Sequence, residues 1–466
     1  MKNRLKLRLI LLLLLLVPIV LYSKQYYCIS NIYITGNATT RDQVIFQELP
    51  FKQGDTVNVE NVEKLLIMGR NNLLNLSLFN YVYVTKSINA GNADNIDINI
   101  NVEERWYVWP VISLIMEDRN FSNWVKKGES ERITFETGMT VYNLWGMNHT
   151  VSASYKFGYQ KGFCLEYNNI SLDNSGKHRL GFGIYGQFSK TENFMSLFNS
   201  PVYNNSNGVF VVKTVSGQIK YTFRPKIRKT HTFALKYEDI RISDTILKLN
   251  PNYWGGDDTV RKGFEFNYTY FSDQRDNIQY PLEGYSIKGE LRGYLSDNSS
   301  IKYAQLKTNF QFYFPITDRW NISTNISAGV SKKNTKAYIF DRAIGYQNVY
   351  LRGYEYYVDD GQHYITLNPT LKYKIMPTKI FVIGFLSFLP KFNKIHFTIY
   401  SKAFFDMGYS YHSYPHLSNY LSNKFLCSGG AGLDLISYYD LNFSVEYSFN
   451  QLGEHGFFFT IKSVLF

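Results

Sequence analysis

Leu441-Asn442-Phe443-Ser444-Val445-Glu446-Tyr447-Ser448-Phe449-Asn450 alternates without a break, apolar at every odd position and polar at every even one. Successive strand side chains point to opposite faces, so this decapeptide has one greasy face and one wet face. The period returns at Phe264, Phe266, Tyr268 and Tyr270 against Gly263, Glu265, Asn267 and Thr269. It returns again around Leu180 to Phe188, Phe233 to Tyr237, Tyr285 to Leu295 and Ala304 to Phe314. A soluble sandwich also alternates, but its apolar face is mostly aliphatic core. Here that face is rich in Phe and Tyr, the other carries Lys, Glu, Gln, Asn and Thr, and segments run about ten residues, the dyad pattern of a transmembrane barrel. A bilayer offers the backbone no hydrogen bonds, so such strands must close on themselves. Residues 106–466, at roughly 20 to 25 residues per strand with its connection, predict about 14 to 18 antiparallel strands, sixteen being the central value.

Composition agrees with a membrane all-β chain. Among 466 residues there are 39 Tyr, 35 Phe and 6 Trp but only 12 Pro, too many rings for a disordered chain. A mean hydropathy of −0.25 excludes a bundle of membrane helices. Lys2, Arg4, Lys6 and Arg8 precede the apolar run Leu9 to Leu21, a basic segment and a short greasy one that predict an export signal over residues 1–23. Leu21 departs from the small residue preferred three positions before a cut after Ser23, so an uncleaved anchor is the second reading. The net charge of +12 comes from scattered rather than clustered cations, which suits lipid headgroups and solvated loops and not nucleic acid. Cys28, Cys164 and Cys427 are too far apart for a C-x-x-C metal site or a disulfide framework.

Residues 27–104 follow a different rhythm. Ile32 and Ile34 alternate before the turn pair Gly36-Asn37, and Thr40-Arg41-Asp42-Gln43 reads as a capping box opening a helix through Leu49. Val62, Leu65, Leu66, Gly69, Leu73 and Leu76 form one helical stripe, with Glu60 and Glu63 at the positive N-terminal end. Strands follow at Tyr81 to Ile88 and at Ile96, Ile98, Ile100 and Val102. The order β-α-α-β-β predicts a small α+β module, one sheet covered by two helices.

Three short motifs lie in the second region. Asp273, Arg275 and Asp276, followed by Pro281 and Gly284, resemble the D-x-R-D…P-x-x-G segment of the BamA/TamA outer-membrane insertase superfamily. Leu351-Arg352-Gly353-Tyr354 resembles that family's (V/I)-R-G-(F/Y) loop tip, with Leu351 in place of a β-branched residue. Phe404-Phe405-Asp406-Met407-Gly408 resembles its F-x-D-x-G strand, and the N-terminal module looks like a single polypeptide-transport-associated (POTRA) domain. The resemblance implies that Arg352 folds back into the lumen and pairs with Asp406, Gly353 permitting the turn. Strand phase independently puts His396, Thr398, Lys402 and Asp406 on the lumen side. By spacing alone, Arg352 reads as a solvated loop cation, and the Asp273-Arg275-Asp276 group reads as a salt-bridged turn closer.

Other signals fall away. Gly181-Phe182-Gly183-Ile184-Tyr185-Gly186 satisfies G-x-G-x-x-G inside an alternating strand with no helix after it. His412 and His416 flank Pro415 with no third ligand near, so a loop is favoured over a metal site. No hydrolase, zincin or phosphate-loop motif is present, and neither catalysis nor a cofactor is expected. The resemblance implies an outer-membrane assembly factor that helps β-barrel proteins fold and insert. Its partners would be the lipid bilayer and, through a periplasmic POTRA domain, unfolded outer-membrane proteins or subunits of an assembly machine. Two rivals remain: a two-partner-secretion translocator, disfavoured because one module and no plug helix are expected, and a structural subunit or passive pore of a larger complex. Pro110 near the start of the first strand marks an edge, and the last strand is expected over Phe457 to Phe466.

Overall fold

The computed structural model describes residues 26–89, 92, 94–116, 132–204, 208–297, 301–346, 349–382, 384, 394–437 and 441–462. The expected export signal, residues 1–23, and the terminal Phe466 lie outside the described residues.

The N-terminal module contains β1 (Tyr26–Thr35), α1 (Asp42–Phe46), β2 (Thr56–Asn58), α2 (Val59–Leu74), β3 (Phe79–Ile88) and β4 (Asn95–Glu104). Its sheet runs β2-β1-β4-β3, with β1 and β4 parallel. Ile96, Ile98, Ile100 and Val102, the inward phase of β4, are all buried against Val62, Leu66 and Leu73 of the α2 stripe, each aliphatic side chain contributing about 1.5–3 kcal/mol. Asn58 caps α2 by accepting the Glu60 N–H at 2.9 Å. Two expectations fail. The short strand β2 intervenes between the helices, and Thr40 does not cap α1, which ends at Phe46. The Thr40 hydroxyl instead donates to Glu104 at 2.7 Å, and the same carboxylate takes the Thr39 and Thr40 N–H groups. An ionised acceptor outcompetes the neutral capping geometry.

Sixteen antiparallel strands, numbered β5 to β20 in chain order, follow from Val108–Met116 (β5) to His455–Lys462 (β20), each paired with its neighbour in sequence. Phe443, Val445, Tyr447 and Phe449 of β19 (Asn442–Asn450) are exposed, while Ser444, Glu446, Ser448 and Asn450 are buried. Apolar outside and polar inside is the reverse of a sandwich and the arrangement lipid demands. The ends of the sheet stay distinct: β5 pairs with β6 (Ile133–Leu144) and β20 with β19, and among the described residues no ladder joins β5 to β20. Pro110 sits on this edge, opposite Met139.

Only Arg105, Trp106 and Tyr107 separate β4 from β5, and they are tied to both domains. Arg105 donates its N–H to the Leu78 carbonyl at 2.9 Å, the Tyr107 hydroxyl bonds Thr40 and Leu78, and the Tyr142 N–H reaches the Tyr107 carbonyl at 2.8 Å. Further polar contacts seat the module on the barrel's near rim. Arg224 forks onto the Glu48 carboxylate at 2.6 and 2.5 Å, Arg228 Nε donates to Asn72 Oδ1 at 2.6 Å, and Gln47 donates to the Asn174 carbonyl at 2.9 Å. At the far rim the long loops cover one another. Asn199 stitches three of them, its amide and side chain bonding Asn419, Val358 and Leu421.

Candidate functional site

The loop between β15 (Trp320–Lys333) and β16 (His363–Val382) turns down into the lumen. Leu351 leads it, buried among Ala343, Ile344, Tyr354, Tyr364, Leu421 and Leu426. Arg352 follows and meets Asp406 of β17 (Lys394–Tyr411). Its backbone N–H and Nε donate to Asp406 Oδ2 at 2.9 Å, and Nη2 donates to Oδ1 at 2.5 Å and to Thr370 Oγ1 at 3.0 Å. The guanidinium lies 3.9 Å from the centroid of the Phe404 ring. Asp406 is 0 % exposed, so the fork that only arginine presents is its main compensation for leaving water.

Two glycines make the approach possible. Gly353 adopts φ +87°, a left-handed conformation costly for other residues, and its carbonyl accepts from Asn450 at 2.7 Å. A Cβ at Gly408 would stand 2.6 Å from Leu351 Cδ1, so the loop tip needs a bare backbone in the wall beneath it. Tyr354 is buried and its hydroxyl donates to the Cys427 carbonyl at 3.2 Å.

The Asp273-Arg275-Asp276 group closes its own turn. Arg275 forks onto Asp273 at 2.8 and 2.5 Å, Asp276 Oδ1 accepts the Leu282 and Glu283 N–H groups at 3.1 and 3.2 Å, and Gly284 takes φ +98°. Pro281 lines the lumen cavity beside this turn. The turn also touches the module, its Ile278 N–H donating to Asn75 Oδ1 at 3.2 Å.

Sequence reasoning missed a second ionic cluster beneath the loop. Lys402 Nζ contacts Asp434 at 2.6 Å and Glu446 at 2.5 Å, and Glu446 lies 4.0 Å from Arg352 Nη1. Tyr280, from the turn after the Asp273 motif, donates to Asp434 at 2.8 Å. The available signal was phase: Lys402 shares the lumen side with Asp406, and Glu446 is the one acid in the polar phase of its strand. These residues and the loop tip border a cavity of about 990 Å³. His412 approaches Asp341 at 3.6 Å in a loop.

Two family models match: "Surface antigen variable number repeat", a POTRA model, over residues 27–105, and "Omp85 superfamily domain" over residues 143–459. No curated protein matches. The fold is similar to BamA from Haemophilus ducreyi lacking POTRA domains 1–3, with 16 % identity, TM-score 0.51, and 94 % of this chain and 85 % of that one covered. It is likewise similar to CdiB from Escherichia coli, with 12 % identity, TM-score 0.54, and 93 % and 75 % covered. With a matching N-terminal module, sixteen antiparallel strands with apolar side chains outward and a family model covering more than half of its length, the chain belongs to the Omp85 superfamily.

Proposed function

We propose that this protein is a non-enzymatic assembly factor of a Gram-negative-type outer membrane, with its POTRA domain in the periplasm, that assists folding and insertion of other β-barrel proteins. The observation that carries this reading is the unzipped seam. β5 and β20 each have a ladder partner on one side only among the described residues, and a free strand edge recruits an incoming strand through main-chain bonds with little demand on its sequence. The free energy would come from folding of the client. Arg352, Gly353, Tyr354, Asp406 and Gly408 hold the loop across the lumen so that the wall beside the seam keeps its shape, while Asp273, Arg275, Asp276, Pro281 and Gly284 shape the turn beneath. A loop packed into the lumen suits lateral delivery at the seam better than passage of a polypeptide through the bore.

Depletion tests this reading. The abundance of many unrelated outer-membrane barrels should fall together; an unchanged profile removes the assembly function, and loss of a single exported partner points to a translocator. Purified protein in vesicles should also speed insertion of an unfolded barrel, and a disulfide placed between β5 and β20 should abolish that gain.

A further inference from the structure

The hairpin formed by β16 and β17 runs past the rest of the wall. The last pairing of β15 is Trp320 with Tyr373, and the first pairing of β18 (Phe425–Ile436) is Ile436 with Thr398. β16 and β17 go on pairing with each other, from Lys374 opposite Tyr400, which is still beside Asp434 of β18, to Val382 opposite Lys394, past both of these limits. Among the described residues no ladder covers the outer edge of β16 past Lys374, whose N–H still reaches the Arg319 carbonyl at 2.9 Å, or that of β17 before Thr398, so both edges are free over the pairs from Lys379–Phe397 to Val382–Lys394. The result is a two-stranded ribbon, free on both edges over roughly 13 Å at about 3.3 Å per residue, leaving the barrel at the rim that carries the POTRA domain.

Its composition is wrong for water. Ile375, Ile380, Phe381 and Val382 are exposed, Val382 by 67 %, and Phe381 packs edge-on against Phe397 at 5.9 Å. A two-stranded ribbon with its greasy side chains in solvent is marginal by itself. Its charge has one sign. From Gly361 to Phe405 there is no Asp or Glu, and the ribbon's described charged side chains are Lys374 and Lys379.

Position identifies what covers it. Trp320 and Tyr373, in tilted contact with ring centroids 4.7 Å apart on the lipid side, form an aromatic pair of the kind that marks the headgroup level of a membrane barrel. The ribbon begins one residue further on, and Leu371 and Ile375, both exposed, lead from the lipid-facing wall directly into it. Register irregularities at Met376 and before Lys379 bend it away from the wall's course.

We propose that this ribbon is an interfacial foot, seated in the periplasmic leaflet with its apolar side chains among the acyl chains and its lysines on anionic phospholipid headgroups. The inference rests on the reading of the barrel as membrane-embedded and is independent of the client-insertion function. Cations at such a surface each strengthen association with anionic lipid by about fivefold.

The test uses the full chain in vesicles of phosphatidylcholine with and without phosphatidylglycerol. Val382→Cys carries a polarity-sensitive fluorophore, with Cys28, Cys164 and Cys427 replaced by Ser. Lipids brominated on the acyl chain should quench the probe and aqueous iodide should not. Brominated phosphatidylglycerol should quench more strongly than brominated phosphatidylcholine at equal content, and Lys379→Gln should remove most of that preference. Retention of the folded barrel in detergent without heating reports whether the barrel itself is inserted. Should the barrel be folded and inserted while iodide reaches the probe freely, the foot is refuted and the membrane reading stands; a barrel that never inserts refutes the membrane reading instead. A probe shielded from both quenchers that responds to dilution of the protein in lipid means that a second copy covers the ribbon, which also refutes the proposal.

Discussion

Arg352→Ala leaves Asp406 with one of its three hydrogen bonds from Arg352, the one from the backbone N–H. The Thr370 bond and the Phe404 stacking go with the guanidinium. Breaking a buried pair by truncating one partner costs about 3–5 kcal/mol, because the survivor is stranded without compensation. The lumen admits water and the backbone donor persists, so the lower end applies, about 3 kcal/mol, or roughly a 150-fold rise in the open fraction of the loop. The reverse substitution is gentler. Arg352 is 20 % exposed on its side chain and has Glu446 at 4.0 Å, so Asp406→Asn should cost about 1–2 kcal/mol. Hydrogen exchange of peptides spanning residues 349–362, in the folded protein in detergent or bilayer, reads both numbers. Exchange in Arg352→Ala within twofold of wild type would refute the lock, and so would a larger effect from Asp406→Asn than from Arg352→Ala.

Three further perturbations probe neighbouring features. Gly408→Ala should push Leu351 off its seat and weaken loop docking by about 1–3 kcal/mol; adding Leu351→Val, which withdraws the clashing Cδ1, should recover part of the protection in the same exchange assay. Arg224→Ala strands the buried Glu48 carboxylate and should loosen the POTRA domain from the rim by about 3 kcal/mol, read as a lower yield of disulfide between cysteines placed at Gln47 and Asn174. Burial pushes Asp360, in the far-rim loops, up to about 6, so the folded form holds more protons than the unfolded one. Its contribution is therefore fully present below the unfolded value near 4, is lost as pH rises through 6, and amounts to about 1 kcal/mol between pH 7 and 5. Asp359 moves in the same direction by burial, whereas in Asp341 the effects of His412 and Lys333 outweigh burial and act only at lower pH. Exchange at Asp359 and Asp360, which pair antiparallel with Ile344 and Arg342 in the far-rim loops, corrected for intrinsic rate, should slow at pH 5, and Asp360→Asn should flatten the response.

The barrel was legible because alternation is a local signal repeated along each strand, and the outward phase is named by its rings. Asp406 was legible for the same reason, since its face follows from counting along β17, and Arg352 was found through a short motif at a loop tip. What escaped were contacts between distant segments with no local pattern. Glu48 and Arg224 are 176 residues apart, and neither lies in a stretch that distinguishes a docking pair from ordinary surface charge. Thr40 illustrates the converse: its local pattern was that of a helix cap, and Glu104, 64 residues away, took the hydroxyl. The ribbon at residues 375–382 also breaks the two-residue period, and its meaning appears only once the register shows where β15 stops.

The three-residue join between β4 and β5 has a mechanical consequence. Because Arg105 and Tyr107 are fastened to Leu78 and Thr40 on one side and to Tyr142 on the other, there is no slack to absorb a swing of the POTRA domain. Any tilt of that domain is delivered as a pull along the first wall strand, whose opposite flank carries no ladder bonds among the described residues. Orientation of the POTRA domain and the course of β5 at the end of the sheet thereby become one mechanical coordinate.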